Sequence, residues 1–119
     1  TRVGSGPFPT ELNDEVGEHL GKAGNEFGAT TGRARRCGWI DLPALKYAIN
    51  INGVTQLMMM KSDVLSGINK IKACTHYLNS NNEKIDYLPF EDNSMLKPVF
   101  KEFKGWEMNL MKLTPEVQK

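Results

Sequence analysis

Nine residues from Gly28 to Arg36 carry the groups best suited to binding a small anion. Two glycines, Gly28 and Gly32, flank a pair of threonines, and three arginines follow within four residues. Glycine allows the backbone to take a positive φ and to bring its N–H groups against a ligand. Threonine hydroxyls and arginine guanidiniums donate hydrogen bonds to carboxylates and phosphates. The pattern favours a loop that closes on an anionic ligand, although an ordinary solvated basic loop has the same composition.

A second group of interest follows the continuously apolar run Leu57–Met60, which predicts a strand covered on both faces. Polarity changes abruptly at Lys61, Ser62 and Asp63. Ligands of open α/β sheets bind outside the carboxyl ends of the strands, so Asp63 is placed to meet one. Its carboxylate can accept hydrogen bonds from N1–H and N2–H₂ of guanine, whereas adenine has an acceptor at N1. The alternative is that Asp63 caps a helix that begins at Val64.

The elements that must position these residues begin with a helix. Apolar residues at helical spacing run from Leu12 to Ala23, with Thr10 as the predicted N-cap and Gly24 as the end. The loop then occupies residues 25–38.

The remaining elements are a second helix and a β-hairpin. Asp41 is the predicted N-cap of the helix, which has Pro43 in its first turn and closes at Gly53. Apolar and polar residues alternate on both sides of an Asn-rich turn at 79–82, which predicts the hairpin. The last third of the chain, with its prolines, predicts only short elements. The fold class is therefore α/β, with helices packed on a sheet that contains a β-hairpin.

Composition limits the classes of function. The chain has 119 residues and a formal net charge of +1, so no overall field marks it for nucleic acid or a membrane surface. Cys37 and Cys74 are the only cysteines and lack zinc-site spacing, which favours thiols in a reducing compartment.

Several blocks of this sequence resemble the adenylosuccinate synthetase family, with order and spacing kept. Blocks in register are far more specific than a single glycine motif. The matching blocks cover about the first two-thirds of the chain. They are residues 1–12, 24–33, 35–41, 47–48, 51–55, 61–67 and 71–74.

The resemblance implies a ligase that forms adenylosuccinate from IMP and L-aspartate with hydrolysis of GTP, in the synthesis of AMP. It implies one fragment, residues 1–119, of a larger P-loop-NTPase-like nucleotide-binding α/β fold, with an aspartate-binding loop at 25–37 and a guanine-binding segment at 61–63. The parent protein would be a cytoplasmic homodimer that acts on IMP, L-aspartate and GTP. Its Mg²⁺ would be bound outside this chain, and neither nucleic acid nor a membrane would be a partner.

The residues that match the family's binding positions fall into three groups. The aspartate-binding loop matches Ala29, Thr30, Thr31, Gly32, Arg33, Ala34 and Arg35. The IMP-binding positions match Val3 and Arg33. The GTP-binding positions match Arg35, Lys61, Ser62 and Asp63.

The sequence also departs from the family. Ala34 stands where a further arginine is common, and Met60 and Ser62 replace a threonine and a leucine. The glycine-rich phosphate loop, general-base aspartate, Mg²⁺ site and catalytic histidine of the family have no counterpart here. We therefore expect no catalytic residue, no metal site and no ligase activity in this chain alone. The alternative is a non-catalytic domain that retains the loop to bind nucleotides, anions or another protein.

Overall fold

One strand organises the sheet in the computed structural model, which describes residues 1–89 and 95–112. This strand, β2 (Lys70–Leu78), pairs with each of the other three strands. β1 (Ile40–Asp41) runs parallel to it, whereas β3 (Lys84–Ile85) and β4 (Lys97–Lys104) run antiparallel. The predicted α/β class is confirmed as a mixed sheet with two helices.

The predicted β-hairpin is confirmed between β2 and β3. Its turn is closed by Asn79, whose side-chain Oδ1 accepts hydrogen bonds from the backbone N–H groups of Asn81 (2.9 Å) and Glu83 (2.8 Å). Tyr77 lies opposite Ile85 across the pair. Asparagine in this role mimics a backbone turn, which explains why the Asn-rich segment predicted the hairpin.

The prediction of only short elements near the end of the chain was wrong, because β4 has eight residues. Pro98 lies within it, opposite Tyr77. A proline lacks the N–H that a central strand needs, and edge strands tolerate it. In the part of the chain that the structure describes, β4 pairs only with β2, so Pro98 sits on an edge strand.

The first helix, α1 (Glu15–Ala23), begins later than predicted. Its N-cap is Asp14, whose Oδ1 accepts a hydrogen bond from Gly17 N at 3.0 Å. The predicted cap, Thr10, is buried and instead donates its hydroxyl to the Trp39 carbonyl at 2.7 Å. A Cβ at Gly17 would collide with the Leu12 carbonyl, so this glycine lets the helix pack on the extended segment before it.

The second helix, α2 (Leu42–Asn52), matches the prediction. Asp41 caps it by accepting a hydrogen bond from Ala44 N at 3.1 Å, and Gly53 ends it in the left-handed conformation. Asp41 Oδ1 also accepts a hydrogen bond of 2.5 Å from the hydroxyl of Tyr77, which is completely buried in β2. The helix is therefore joined to the sheet at its first turn.

The strand predicted at Leu57–Met60 is not formed. These residues have no regular secondary structure, and all four side chains are exposed, Met58 to 92%. A continuously apolar strand needs neighbours on both faces. None of the strands in residues 1–89 and 95–112 pairs with this segment, which we call the methionine segment.

Candidate ligand-binding site

Residues 25–37, the arginine loop, form two legs joined by a tight tip. Phe27 and Ala34 pair as an isolated bridge between the legs, and Gly28 N donates to the Arg33 carbonyl at 2.8 Å. Gly32 N donates back to the Gly28 carbonyl at 2.8 Å. Gly32 has φ +65°, a conformation that glycine adopts without the cost of a Cβ. The tip is therefore a closed turn.

The tip presents its polar groups to solvent. Thr30, Thr31 and Arg33 are all exposed, as are Ala29 and Gly32. Thr31 Oγ1 accepts a long hydrogen bond of 3.4 Å from Arg33 N. Within the described residues, no hydrogen bond or ion pair engages the Arg33 guanidinium. Two hydroxyls and a guanidinium with free donors thus face outward on one turn.

Arg35 points to the protein instead. Its Nη1 lies 3.0 Å from Oε2 of Glu26, a carboxylate on the opposite leg. The backbones of the same two residues are joined as well, because Arg35 N donates to the Glu26 carbonyl at 2.9 Å. Glu26 is only 8% exposed, so the pair lies at the base of the loop.

Lys61 reaches the same carboxylate from a distant part of the chain. Its Nζ donates to Glu26 Oε1 at 2.8 Å and to the Gly24 carbonyl at 2.7 Å. These hydrogen bonds from Lys61 and Arg35 outweigh the effect of burial and lower the pKa of Glu26. Lys61 itself has φ 58°, which is uncommon for a residue with a side chain. The two segments predicted to bind substrates therefore meet at one buried acid.

The third arginine, Arg36, holds the N-terminal segment. Its Nε and Nη2 contact the two carboxylate oxygens of Glu11 at 2.8 and 2.6 Å. Its Nη1 donates to the carbonyls of Gly4 (3.2 Å) and Gly6 (2.7 Å). The hydrogen bond from Arg36 lowers the pKa of Glu11. Val3, the residue matched to IMP, lies exposed next to this anchored backbone.

Asp63 lies in the first turn of a short 3₁₀ helix, Ser62–Leu65. The N-cap of this helix is Lys61, and no side chain makes a capping hydrogen bond there. The capping alternative for Asp63 therefore does not describe this structure. Asp63 and Ser62 are half-buried, and within the described residues no hydrogen bond or ion pair reaches the Asp63 carboxylate. Both carboxylate oxygens are therefore unpaired among the described residues.

A cavity of about 480 Å³ opens between α1 and the legs of the arginine loop. Of the residues matched to the family's binding positions, only Ala34 and Arg35 line it. The tip residues, Val3 and the 61–63 segment lie elsewhere, so the predicted residues do not share one enclosed pocket.

Sequence reasoning missed the acids that arrange the site. Glu26 is the only acidic residue between Glu18 and Asp41, a stretch that also contains Lys22 and three arginines. A single acid within a basic stretch is a signal for a paired carboxylate, and its partner Lys61 could not be inferred because it lies 35 residues away.

Residues 1–89 and 95–112 lack two further features, a cluster of metal ligands and a membrane-spanning helix. No three His, Cys, Asp or Glu side chains group there as ligands for a metal ion. None of the helices there has the length and apolar character needed to cross a membrane.

Comparisons with known proteins agree with one another. The family model described as adenylosuccinate synthetase matches residues 1–118. The adenylosuccinate synthetase of Christiangramia forsetii is 64% identical over 115 residues, which are 96% of this chain and 27% of that protein. The adenylosuccinate synthetase of Flavobacterium johnsoniae is 60% identical over the same shares of the two chains.

A solved structure shows the same fold. The fully ligated adenylosuccinate synthetase from Plasmodium falciparum superposes with a TM-score of 0.85 at 38% identity. The superposition covers 98% of this chain and 30% of the other. The chain thus spans between a quarter and a third of the length of the proteins it matches.

Proposed function

We propose a function from one premise: this chain belongs to the adenylosuccinate synthetase family. The proposal is that it forms the part of such a ligase that binds L-aspartate, IMP and the guanine of GTP. The whole enzyme joins IMP to L-aspartate and hydrolyses GTP. The observation that carries the proposal is the exposed tip of the arginine loop, where Thr30, Thr31 and Arg33 present free donors.

L-Aspartate is the ligand that the tip fits best. It carries two carboxylates, and hydrogen bonds between a guanidinium and a carboxylate are about twice as strong as neutral ones. Arg33 supplies a guanidinium at the tip, Thr30 and Thr31 supply hydroxyls on the same turn, and Arg35 supplies a second guanidinium from the leg of the loop. Ala29, Gly32 and Ala34 contribute backbone and leave room for the ligand. Closure of the tip over aspartate would also exclude water from the reacting atoms.

The guanine of GTP is assigned to the 61–63 segment. Asp63 has the free carboxylate oxygens needed to accept from N1–H and N2–H₂, and adenine offers no such pair of donors. Lys61 and Ser62 lie beside it at the start of the 3₁₀ helix. Arg35 completes the proposed GTP contacts from the base of the loop, where Glu26 holds it next to Lys61.

IMP is assigned to Arg33 and to the backbone at Val3. Arg36 supports this assignment because it anchors the segment at Gly4 and Gly6 that follows Val3. Arg33 is then shared between two substrates, which places the amine of aspartate near the purine that it attacks.

The remaining properties concern the parent enzyme. We propose that it is a cytoplasmic homodimer and that its Mg²⁺ is held outside this chain. In residues 1–89 and 95–112, no three His, Cys, Asp or Glu side chains group together, and no step of the reaction is assigned to the ion here. The groups proposed above bind and orient substrates; they do not transfer the phosphoryl group.

The experiment is a comparison of four samples in the presence of GTP, IMP, L-aspartate and Mg²⁺. We expect the full-length protein to form adenylosuccinate, and both the 119-residue chain and full-length Arg33→Leu to form little or none. The Lys46→Leu variant, altered at an exposed site on α2, serves as a matched control with normal activity. Absence of product from the full-length protein, or turnover by the isolated chain that Arg33→Leu abolishes, would contradict the proposal.

A further inference from the structure

We infer that Glu26 is a positioning residue that fixes Arg35 and Lys61 in one geometry and so joins the arginine loop to the guanine segment. The inference rests on the proposed function, in which both cations contact GTP and the loop binds aspartate. The family resemblance assigned no role to Glu26.

The two carboxylate oxygens of Glu26 accept hydrogen bonds from different cations. Oε1 accepts from Lys61 at 2.8 Å, and Oε2 accepts from Arg35 at 3.0 Å. Each cation therefore has an oxygen of its own, and neither has to leave for the other to bind. The two cations come from segments that are 26 residues apart in sequence, so one side chain sets their relative position.

Burial of the Glu26 carboxylate restricts its two partners to these positions. The side chain of Glu26 is 10% exposed, whereas the side chains of Arg35 and Lys61 are 36% and 52% exposed. A buried carboxylate is costly unless it is paired and hydrogen-bonded, so Glu26 holds its two partners firmly. Both cations keep part of their surface open to solvent. They can therefore contact a ligand while remaining attached to the acid.

Removal of the negative charge would change both partners together. Without the carboxylate, Arg35 and Lys61 would be like charges at close range, and they would repel each other. The Lys61 ammonium would retain only the Gly24 carbonyl, and the Arg35 guanidinium would have no hydrogen-bond partner among the described residues. Arg33 and Val3 make no hydrogen bond with Glu26, so the proposed IMP contacts would not be affected.

The test uses the full-length enzyme with Glu26→Gln, which keeps the shape of the side chain and removes its charge. We expect the KM values for GTP and L-aspartate to rise about tenfold, since charge-assisted hydrogen bonds are lost on both cations. The KM for IMP should stay within about twofold of wild type, because its contacts lie elsewhere. Glu18→Gln is the matched control, since Glu18 makes only an exposed pair with Lys22.

A purely structural role for Glu26 would lower kcat through loss of folded enzyme and leave all three KM values unchanged, and that result would overturn the inference. If Glu26→Gln does not fold, the same KM measurements on Glu26→Asp test the inference. The shorter acid keeps the charge but cannot reach both cations, so raised KM values for GTP and L-aspartate support the inference and unchanged values overturn it. An inactive wild-type enzyme would instead refute the proposed function itself.

Discussion

The guanidinium of Arg36 makes a bidentate ion pair with the carboxylate of Glu11, with Nε–Oε1 at 2.8 Å and Nη2–Oε2 at 2.6 Å. The remaining nitrogen, Nη1, donates to the backbone carbonyls of Gly4 and Gly6. One side chain of the arginine loop thus fixes three points of the N-terminal segment. The planar fork of arginine suits this task, and the single ammonium of lysine does not.

Arg36→Lys should therefore destabilise the fold, because an ammonium cannot keep the paired contacts to Glu11 and the two carbonyls together. We expect a lower midpoint in urea unfolding followed by circular dichroism. Arg33→Lys makes the same change at an exposed, unpaired position and should leave the midpoint unchanged. Equal midpoints for the two variants would show that the Arg36 contacts add nothing to stability.

Stability should fall in acid because of Glu11 and Glu26, whose pKa values are lowered from 4.5 by hydrogen bonds from Arg36 and from Lys61 with Arg35. A lowered pKa in the folded state gives stability that is present above 4.5 and lost as the pH falls through the folded-state value. Urea midpoints measured from about pH 6 to about pH 3 should show this decline. Glu26→Gln should make this decline of the urea midpoint with pH shallower. An unchanged slope would show that Glu26 does not contribute to the loss of stability in acid.

Tyr77→Phe should lower the free energy of unfolding by about 1.5–3 kcal/mol, the usual loss for a hydrogen bond to a charged group. The hydroxyl is buried against Asp41, and burial together with that carboxylate raises the pKa of Tyr77. Its loss would leave Asp41, whose Oδ2 is already buried without a partner among the described residues, with one hydrogen bond fewer. Tyr47→Phe, at an exposed site on α2, should change the free energy little. Similar values for both variants would refute this role for the hydroxyl.

Asp63→Ala in the full-length enzyme should weaken the binding of GTP far more than that of ATP. Only guanine has the pair of donors from which this carboxylate accepts hydrogen bonds. Base-edge pairs of this kind discriminate by about 1–3 kcal/mol in nucleic-acid recognition, which sets the scale for the change in kcat/KM. Asp86→Ala removes an acid from an exposed site and serves as the control. An unchanged preference for GTP over ATP in Asp63→Ala would exclude base recognition by this residue.

The elements that could be predicted from the sequence are those with local signals. Both ends of α2 are encoded nearby, by Asp41 at the start and Gly53 at the end, and the hairpin turn is encoded by Asn79. The start of α1 could not be predicted in this way. Thr10 has a suitable side chain for a cap, but its hydroxyl bonds the carbonyl of Trp39, which is 29 residues away.

The methionine segment illustrates a second limit. Its composition predicted a strand, but a strand exists only where another strand pairs with it, and the described residues supply none. The site shows the same dependence on distant groups. The sequence predicted which positions carry cations. Only the fold shows that Arg35 and Arg36 have acidic partners, whereas Arg33 has none among the described residues.

The division of the three arginines changes the electrical character of the loop. Glu11 neutralises Arg36 locally, whereas Glu26 is shared between Arg35 and Lys61. With Arg33 at the tip, four cations face two acids, so an approaching anion meets the field of roughly two positive charges. The association rate of an anionic substrate should then depend on ionic strength as it does for two cations, and less steeply than for four. Selectivity at the tip accordingly comes from the placement of donors on one turn, because long-range attraction does not distinguish one anion from another of equal charge.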